Sequence, residues 1–390
     1  MHSGRFVFSQ VLELVKQYEF NKYVKRHNGN RHIRELDCWN LFIQLLFGQL
    51  AGLPSLRSIS ICLRAHEHQL YHLGIKKWVD SSVLSRANEK RNWKIFADFG
   101  NYLIRLVRPL YANCPIPNVD INNEIFALDS TTVSVSINLF TWAHGKYSRG
   151  AVKMHTVIDL RGSIPEFIFI TDGKYHDSNV LDLINFYANA IYLMDKAYVD
   201  FEALFRIHNA GAFFVTRAKD TMRYEVVDQN FNIDQTTGLR ADKTVRLTVA
   251  KSKKLYPEKL RLVEFYDNIN GELLVFLTNN FDVSAREVAN LYRNRWQIEI
   301  FFKWIKQNLT VKKLWGHSVN AVKIHLWVAI CTHLILAYIK HMMRSPLSIY
   351  EISQVLSTSL FDKTLMRNLL CESNKTQIKQ NQNVKELLLF

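Results

Sequence analysis

SAREVANLYRNRWQIEIFFKWIKQ, residues 284–307, contains neither Gly nor Pro and reads as a single helix of about seven turns. With Tyr292 at zero and a step of about 100° per residue, Arg295, Glu299, Lys303 and Lys306 fall within roughly 60° of it on one stripe. Leu291, Ile298, Phe301, Trp304 and Ile305 take the opposite side, which the pattern assigns to a core. A solvated amphipathic helix also carries charge on its outer face. Here the polar residues form a narrow line, with one acid among cations and a phenol. That is the surrounding a carboxylate needs if it is to hold a metal ion against a phosphate backbone.

Two further acids stand out upstream. Asp129 interrupts the strand pattern EIFALDSTTVSV, and Asp195 ends the short apolar run IYLMD. A lone carboxylate in an apolar strand is costly to bury unless it is paired or binds a metal. Three carboxylates with no histidine cluster favour a hard cation, Mg²⁺ or Mn²⁺, and two such ions suit in-line phosphoryl displacement. Asp159, Asp172, Asp177 and Asp200 lie in the same region, but turn or cap positions account for them. His144, His155 and His176 show no metal-ligand spacing and read as surface or hydrogen-bonding residues.

The strand-rich part is expected to run as three antiparallel strands (124–135, 151–160, 164–171), a helix over 178–190, the strand 191–194, a helix opened by Asp200, and the strand 213–216. Between 218 and 282 three more strands are expected, with Asn270-Gly271 as a hairpin turn. The fold class is therefore α/β, with a β-rich insertion before the stripe-bearing helix.

Residues 1–118 read as helical, with helices over 11–26, 37–50 and 80–107. They hold 17 Lys and Arg against 8 Asp and Glu, a net +9 of the chain's +15. Arg86, Lys90 and Arg91 mark a basic face, and a DNA-reading domain is expected there. CPIPN, 114–118, reads as a linker. The expected division is 1–118 helical, 119–217 first part of the core, 218–282 insertion, 283–320 the Glu-bearing helix and 321–390 a helical C-terminal region. The stretch 374–383 is polar and precedes a last apolar ELLLF.

The whole chain, 390 residues with 48% apolar and 12% aromatic content, has the composition of a globular protein. Its pI of about 9.5 points to a polyanionic partner. Five scattered cysteines without a C-x-x-C pair argue against a disulfide framework or zinc site and fit a reducing cytoplasm. MHSGRFVF has no signal-peptide core. The apolar run 324–339 contains His325 and His333 and reads as a core helix, so no membrane partner is expected.

Tyr292-x2-Arg295-x3-Glu299-x6-Lys306 is similar to the Y-R-E-K signature of DDE-class insertion-sequence transposases of the IS-four family. Asp129 in LDSTTV resembles that family's first acid, and Asp195 in DKAYVD its second. The resemblance covers about 124–315, and more loosely the N-terminal helices. It implies a ribonuclease H-like core, for whose β-rich insertion the 104 positions from Asp195 to Glu299 leave room. It implies an enzyme of the bacterial cytoplasm and nucleoid, using two Mg²⁺ ions (or Mn²⁺). The partner is double-stranded DNA: the enzyme excises an element at its terminal inverted repeats and joins the 3′ ends to a target, as a homodimer. Asp129, Asp195 and Glu299 would be catalytic and metal-binding. Tyr292, Arg295 and Lys306 would meet phosphates, with Lys303 on the same stripe, and Trp296, about 40° from Tyr292, either stacks near the DNA end or packs in the core. Two departures stand out. Lys196-Ala197 replaces the usual Arg-Gly, and no Trp lies between Trp142 and Trp296 to stack a flipped base in the insertion, a role left to Phe276 or Phe281. A catalytically silent DNA-binding descendant and a nuclease without strand transfer are the alternative readings.

Overall fold

A computed structural model describes residues 4–135, 142 and 150–371; His144 and the polar tail 374–383 lie outside these. The elements in chain order are α1 Val7–Leu14, α2 Gln17–Arg26, α3 Cys38–Leu50, α4 Leu56–Ala65, α5 Ser81–Lys90, α6 Trp93–Val107, β1 Ile125–Val135, β2 Gly150–Asp159, β3 Ile164–Asp172, β4 Ile191–Met194, α7 Phe201–Asn209, β5 Phe213–Arg217, β6 Tyr224–Gln229, β7 Leu239–Leu247, α8 Ala250–Leu255, β8 Leu260–Asp267, β9 Glu272–Thr278, α9 Ala285–Asn294, α10 Trp296–Asn308, α11 Val319–Met343, α12 Ile349–Ser359 and α13 Met366–Cys371. They form two compact units, one of residues 1–110 with 303–390 and one of residues 111–302.

The helical unit is built on α3 and α11. Every residue of α3 is buried, and Asp37 caps it by accepting from the Asn40 amide. In α11 the most apolar window is 89% buried, so this 25-residue helix, long and apolar enough to cross a membrane by those criteria alone, forms core instead. Helices expected as single pieces over 11–26 and 80–107 are each two. The second break has a visible cause. Asp80 caps α5 and Asn92 caps α6, while the Asn320 side-chain amide donates to the carbonyls of Asn88, Glu89 and Arg91, satisfying the end of α5.

The second unit carries one nine-stranded sheet in the order β3-β2-β1-β4-β5-β9-β8-β7-β6. β1, β2 and β3 form the expected antiparallel meander. β4 lies parallel to β1, and β5 parallel to β4. That order and sense make the core ribonuclease H-like, a mixed α/β fold. The strands of the 218–282 region continue the same sheet, because β9 pairs antiparallel with β5. Gly271, at φ 66°, makes the β8–β9 turn at the expected Asn-Gly.

Two expectations fail here. Residues 178–190 do not form a helix: only a 3₁₀ segment, Asp177–Leu183, is present. The Tyr187 amide instead donates to the Tyr192 hydroxyl, and Asn189 turns the chain at φ 63° into β4. The stretch 284–307 is also not one helix, since α9 ends at Asn294 and α10 begins at Trp296. Arg295 keeps right-handed helical torsions. Around it the amides of Arg295 and Ile298 bond three residues back, to Tyr292 and Arg295, so one tightened turn joins the two helices.

Candidate active site

The β1–β4 register places two acids side by side. The last paired residues are Leu128 opposite Met194, and the next residue on each strand is Asp129 and Asp195. Parallel neighbours lie about 4.8 Å apart. Phe126, Leu128, Tyr192 and Met194 belong to the buried cluster on one face of the sheet. Strand alternation therefore turns Asp129 to the other face.

Glu299 reaches Asp129 through Arg295. One guanidinium nitrogen of Arg295 donates to Asp129 Oδ2 at 3.2 Å, and the other donates to Glu299 Oε1 at 2.6 Å. The three side chains are only 12%, 22% and 32% exposed for Arg295, Asp129 and Glu299. The Arg295 fork is therefore largely desolvated and bidentate across two acids, a geometry Lys does not reproduce. The Tyr292 ring lies 5.6 Å from the guanidinium carbon and 4.9 Å from the buried Phe276 ring.

Burial pushes the Asp129 carboxyl up to about 6, against the pull of the Ser130 amide and Arg295, and the negative charges of Glu299 and Asp195 push the same way. Burial works against the Arg295 charge too. Its hydrogen bond to Glu299, with Tyr292 and Asp129, outweighs this and raises its pKa above the ordinary value. The acid site is thus crowded with negative charge and short of water, the setting in which a carboxylate gains most from a cation. In donor chemistry and neighbourhood the three carboxylates fit a hard divalent ion. As the side chains stand, no group of three His, Cys, Asp or Glu among the described residues is close enough to share one ion. The Arg295 guanidinium takes the position between Asp129 and Glu299.

Beside these acids is a cleft of about 330 Å³ lined by Asp195, Arg217, Tyr292, Arg293, Arg295 and Trp296. Trp296 is 59% exposed, which rules out the core-packing alternative; Phe276 is fully buried, and Phe281 is exposed. Lys196 is exposed and lies 3.9 Å from Asp220. Lys303 and Lys306 follow Phe302 on the part of α10 that belongs to the helical unit, Lys303 exposed and Lys306 half-buried.

Three residues missed as site candidates form a chain that starts next to Asp129. Ser130 donates its main-chain N–H to Asp129 Oδ1 at 2.7 Å and its hydroxyl to Asp177 Oδ1 at 2.6 Å. Lys153 donates to the same Asp177 carboxylate. Asp177, expected as a cap, makes no capping bond. Asp200 does cap α7. His155 is fully buried, bonds the Thr171 hydroxyl, and is pushed down to about 4 by burial. The only sequence signal for the Ser130–Asp177–Lys153 group was alternation: Lys153 is a charge inside a strand.

In the helical unit, the basic residues line two clefts. One, of about 400 Å³, has Arg34, Arg86, Lys90 and Arg91 on its wall with His32 and Glu35. The other, of about 700 Å³, is lined by Tyr18, Lys22, Lys25, Asn28, Asn30 and Arg31. Arg86 and Lys90 are exposed, whereas Arg91 is half-buried and donates to the Leu36 carbonyl.

The ribonuclease H-like sheet thus carries one acid within β1, a second just past β4 and a third on a later helix. The chain belongs to the Transposase DDE domain family, which matches residues 122–335, and it carries at residues 3–76 a match to a domain of unknown function, DUF4372. Its relatives are named as transposases, two of them as transposases for insertion sequence elements. It is 32% identical over 239 residues to "Putative transposase y4zB" of Sinorhizobium fredii, covering 60% of this chain and 66% of that one. It is 31% identical over 213 residues to "Probable transposase for insertion sequence element IS5377" of Geobacillus stearothermophilus, covering 54% and 55%. A third, "Putative transposase for insertion sequence element IS4SA" of Synechocystis, is 27% identical over 262 residues, covering 66% and 71%. The matched segments of the first two thus span about two thirds and about half of those relatives. Among solved structures, a piggyBac transposase synaptic complex with hairpin DNA overlays 93% of this chain and 82% of that one at 9% identity, with a TM-score of 0.49.

Proposed function

We propose that this chain excises an insertion sequence by cleaving DNA at the element's terminal inverted repeats and joins the freed 3′ ends to target DNA. The observation that carries this reading is the Arg295 fork shared by Asp129 and Glu299, one strand away from Asp195. Asp129, Asp195 and Glu299 are the residues that would hold two Mg²⁺ ions, with Mn²⁺ able to substitute. When bound, such ions stabilise charge on the attacking and leaving oxygens of the displacement.

The chain's own groups do the rest. The Ser130 amide fixes one oxygen of Asp129, and Arg295 fixes the other. Arg295, Tyr292, Lys303 and Lys306 offer donors and positive charge to the backbone phosphates near the cut. On this reading a DNA phosphate competes with Glu299 for the Arg295 fork. Trp296, exposed on the lining of the acid cleft, would stack on a base there, the role that the insertion lacks a Trp to fill. Arg86, Lys90 and, to a lesser degree, Arg91 hold duplex DNA in the helical unit. Two copies acting on two element ends, in the bacterial cytoplasm, complete the proposal.

The test incubates purified protein, Mg²⁺ and linear DNA bearing the element's ends. Cleavage and end joining should both vanish in Asp129→Ala, Asp195→Ala and Glu299→Ala. Unchanged cutting in any one of these removes that residue from the site. Cleavage without any joined product would identify a nuclease, and binding without cleavage a silent descendant.

A further inference from the structure

We propose that Asp177 and Ser130 are positioning residues that hold the Asp129 carboxylate ready for a divalent cation from the opposite face of the sheet. The proposal rests on the metal-binding reading of Asp129 and adds two residues that reading does not contain.

The argument starts from the ladder. β1 pairs with β4 only as far as Leu128, but with β2 through Asp129, Ser130 and on to Val135. Past Leu128 the strand is therefore held on one side only. Asp129 and Ser130 lie at the first residues of this half-supported stretch, and their side chains point to opposite faces. Ser130 thus reaches away from the acid site, toward the 3₁₀ segment that starts at Asp177 and whose Val180 and Leu181 lie in the buried cluster.

There the Ser130 hydroxyl meets Asp177 Oδ1 at 2.6 Å, within the short range of a hydrogen bond to an ionised acceptor. The Asp177 charge is balanced by Lys153, whose ammonium lies 3.2 and 3.3 Å from the two carboxylate oxygens and also donates to the Tyr175 carbonyl. His155 Nδ1 is 3.5 Å from the same Asp177 Oδ1, and burial keeps this ring neutral. The buried Tyr198 hydroxyl lies against the same group, beside the Ser130 side chain and the Asp177 charge. The tether therefore consists of one acid and one base, closed on itself electrically. It replaces the missing β4 partner of Ser130. Through the Ser130 peptide, whose N–H holds Asp129 Oδ1 at 2.7 Å, it fixes the direction of the acid on the other face. Partners that orient a metal ligand in this way carry about 10- to 100-fold of metal affinity.

The experiment titrates the full-length protein with Mn²⁺ alone, without DNA, following free Mn²⁺ by electron paramagnetic resonance, with a thermal melt of each variant. Ser130→Ala keeps the peptide N–H but removes the tether, and should weaken Mn²⁺ binding about tenfold while the melt stays near wild type. Ser130→Thr keeps a hydroxyl and should restore the affinity, and Asp177→Asn should match Ser130→Ala. A purely structural role predicts the reverse pattern, a lowered melt with unchanged Mn²⁺ affinity, and that result overturns the proposal. Wild-type affinity in Ser130→Ala, with binding lost in Asp129→Ala, overturns the positioning role alone. Failure of the wild-type protein to bind Mn²⁺ overturns the metal reading and the proposal together.

Discussion

Asp129 and Asp195 hold equivalent places on adjacent parallel strands, each one residue beyond the registered pair Leu128–Met194. This brings two acids together across 66 positions of sequence without any local contact between them. Glu299 joins from a third element through the Arg295 fork. Several consequences of that crowding can be measured.

Asp129 is ionised at neutral pH at a cost to the fold. Its folded pKa of about 6 lies above the ordinary 3.8, so the folded state binds more protons than the unfolded state between those values. The stability this group contributes is fully present below about pH 4 and is lost as pH rises through about 6. Asp129→Asn removes the titration. The melting temperature of the variant minus that of wild type should become more positive between pH 4.5 and pH 8, by a free energy on the order of 2 kcal/mol. A difference that is flat across this range would show that burial does not strain the carboxylate.

Arg295 bridges two poorly solvated carboxylates at once. Arg295→Gln leaves both without their cation and should cost about 2–4 kcal/mol at pH 8, with a smaller loss at pH 5, where Asp129 takes up a proton. Arg295→Lys should recover less than half of this, because one ammonium does not span both oxygens. Chemical denaturation at the two pH values reads both effects; full recovery by Lys would reduce the fork to a simple counter-charge.

The local chemistry of the site was legible in the chain, whereas its long-range geometry was not. The Tyr292–Arg295–Glu299 spacing, the strand-borne Asp129 and Asp195, the antiparallel meander and the Asn-Gly turn each leave a mark on a short window of residues. The β1–β4 register does not, since parallel pairing depends on the crossover between the strands. For the same reason the joining of β9 to β5, which makes the insertion part of the core sheet, has no local signature. The 284–307 stretch carried an unbroken helical pattern, and the tightened turn at Arg295 kept helical torsions, so periodicity did not reveal it. Residues 178–190 read as a helix capped near Asp177 and Ser178. A tertiary bond from the Tyr187 amide to the Tyr192 hydroxyl and the turn at Asn189 override that preference. Asp177 looked like a cap by position, and its actual partner, Ser130, is 47 residues away.

Trp296 presents an aromatic face that no core packing requires. Trp296→Ala should therefore leave the melting temperature within about 1 °C, because exposed substitutions away from special features stay within about 0.5 kcal/mol. If the ring stacks on a base displaced from the duplex, the variant should cut fully paired ends at least tenfold more slowly. It should cut ends with an unpaired or missing base nearly as fast as wild type, since the unstacking cost is then already met. Equal slowing on both substrates would place Trp296 against the DNA backbone instead.

On the proposed function, the two basic clefts of the helical unit would hold DNA apart from the chemistry. Their cations belong to residues 22–91, while the three acids lie in or after β1. Arg34→Ala, Arg86→Ala and Lys90→Ala together should weaken binding to any duplex, measured by fluorescence anisotropy in EDTA. The slope of log affinity against log salt should also fall, by about one unit for each phosphate that is no longer neutralised. Lys22→Ala, Lys25→Ala and Arg31→Ala test the larger cleft in the same way. Because EDTA removes the chemistry, this measurement stands even if cleavage fails. An unchanged slope in one triple variant would assign duplex binding to the other cleft, and unchanged slopes in both would move it out of these two clefts.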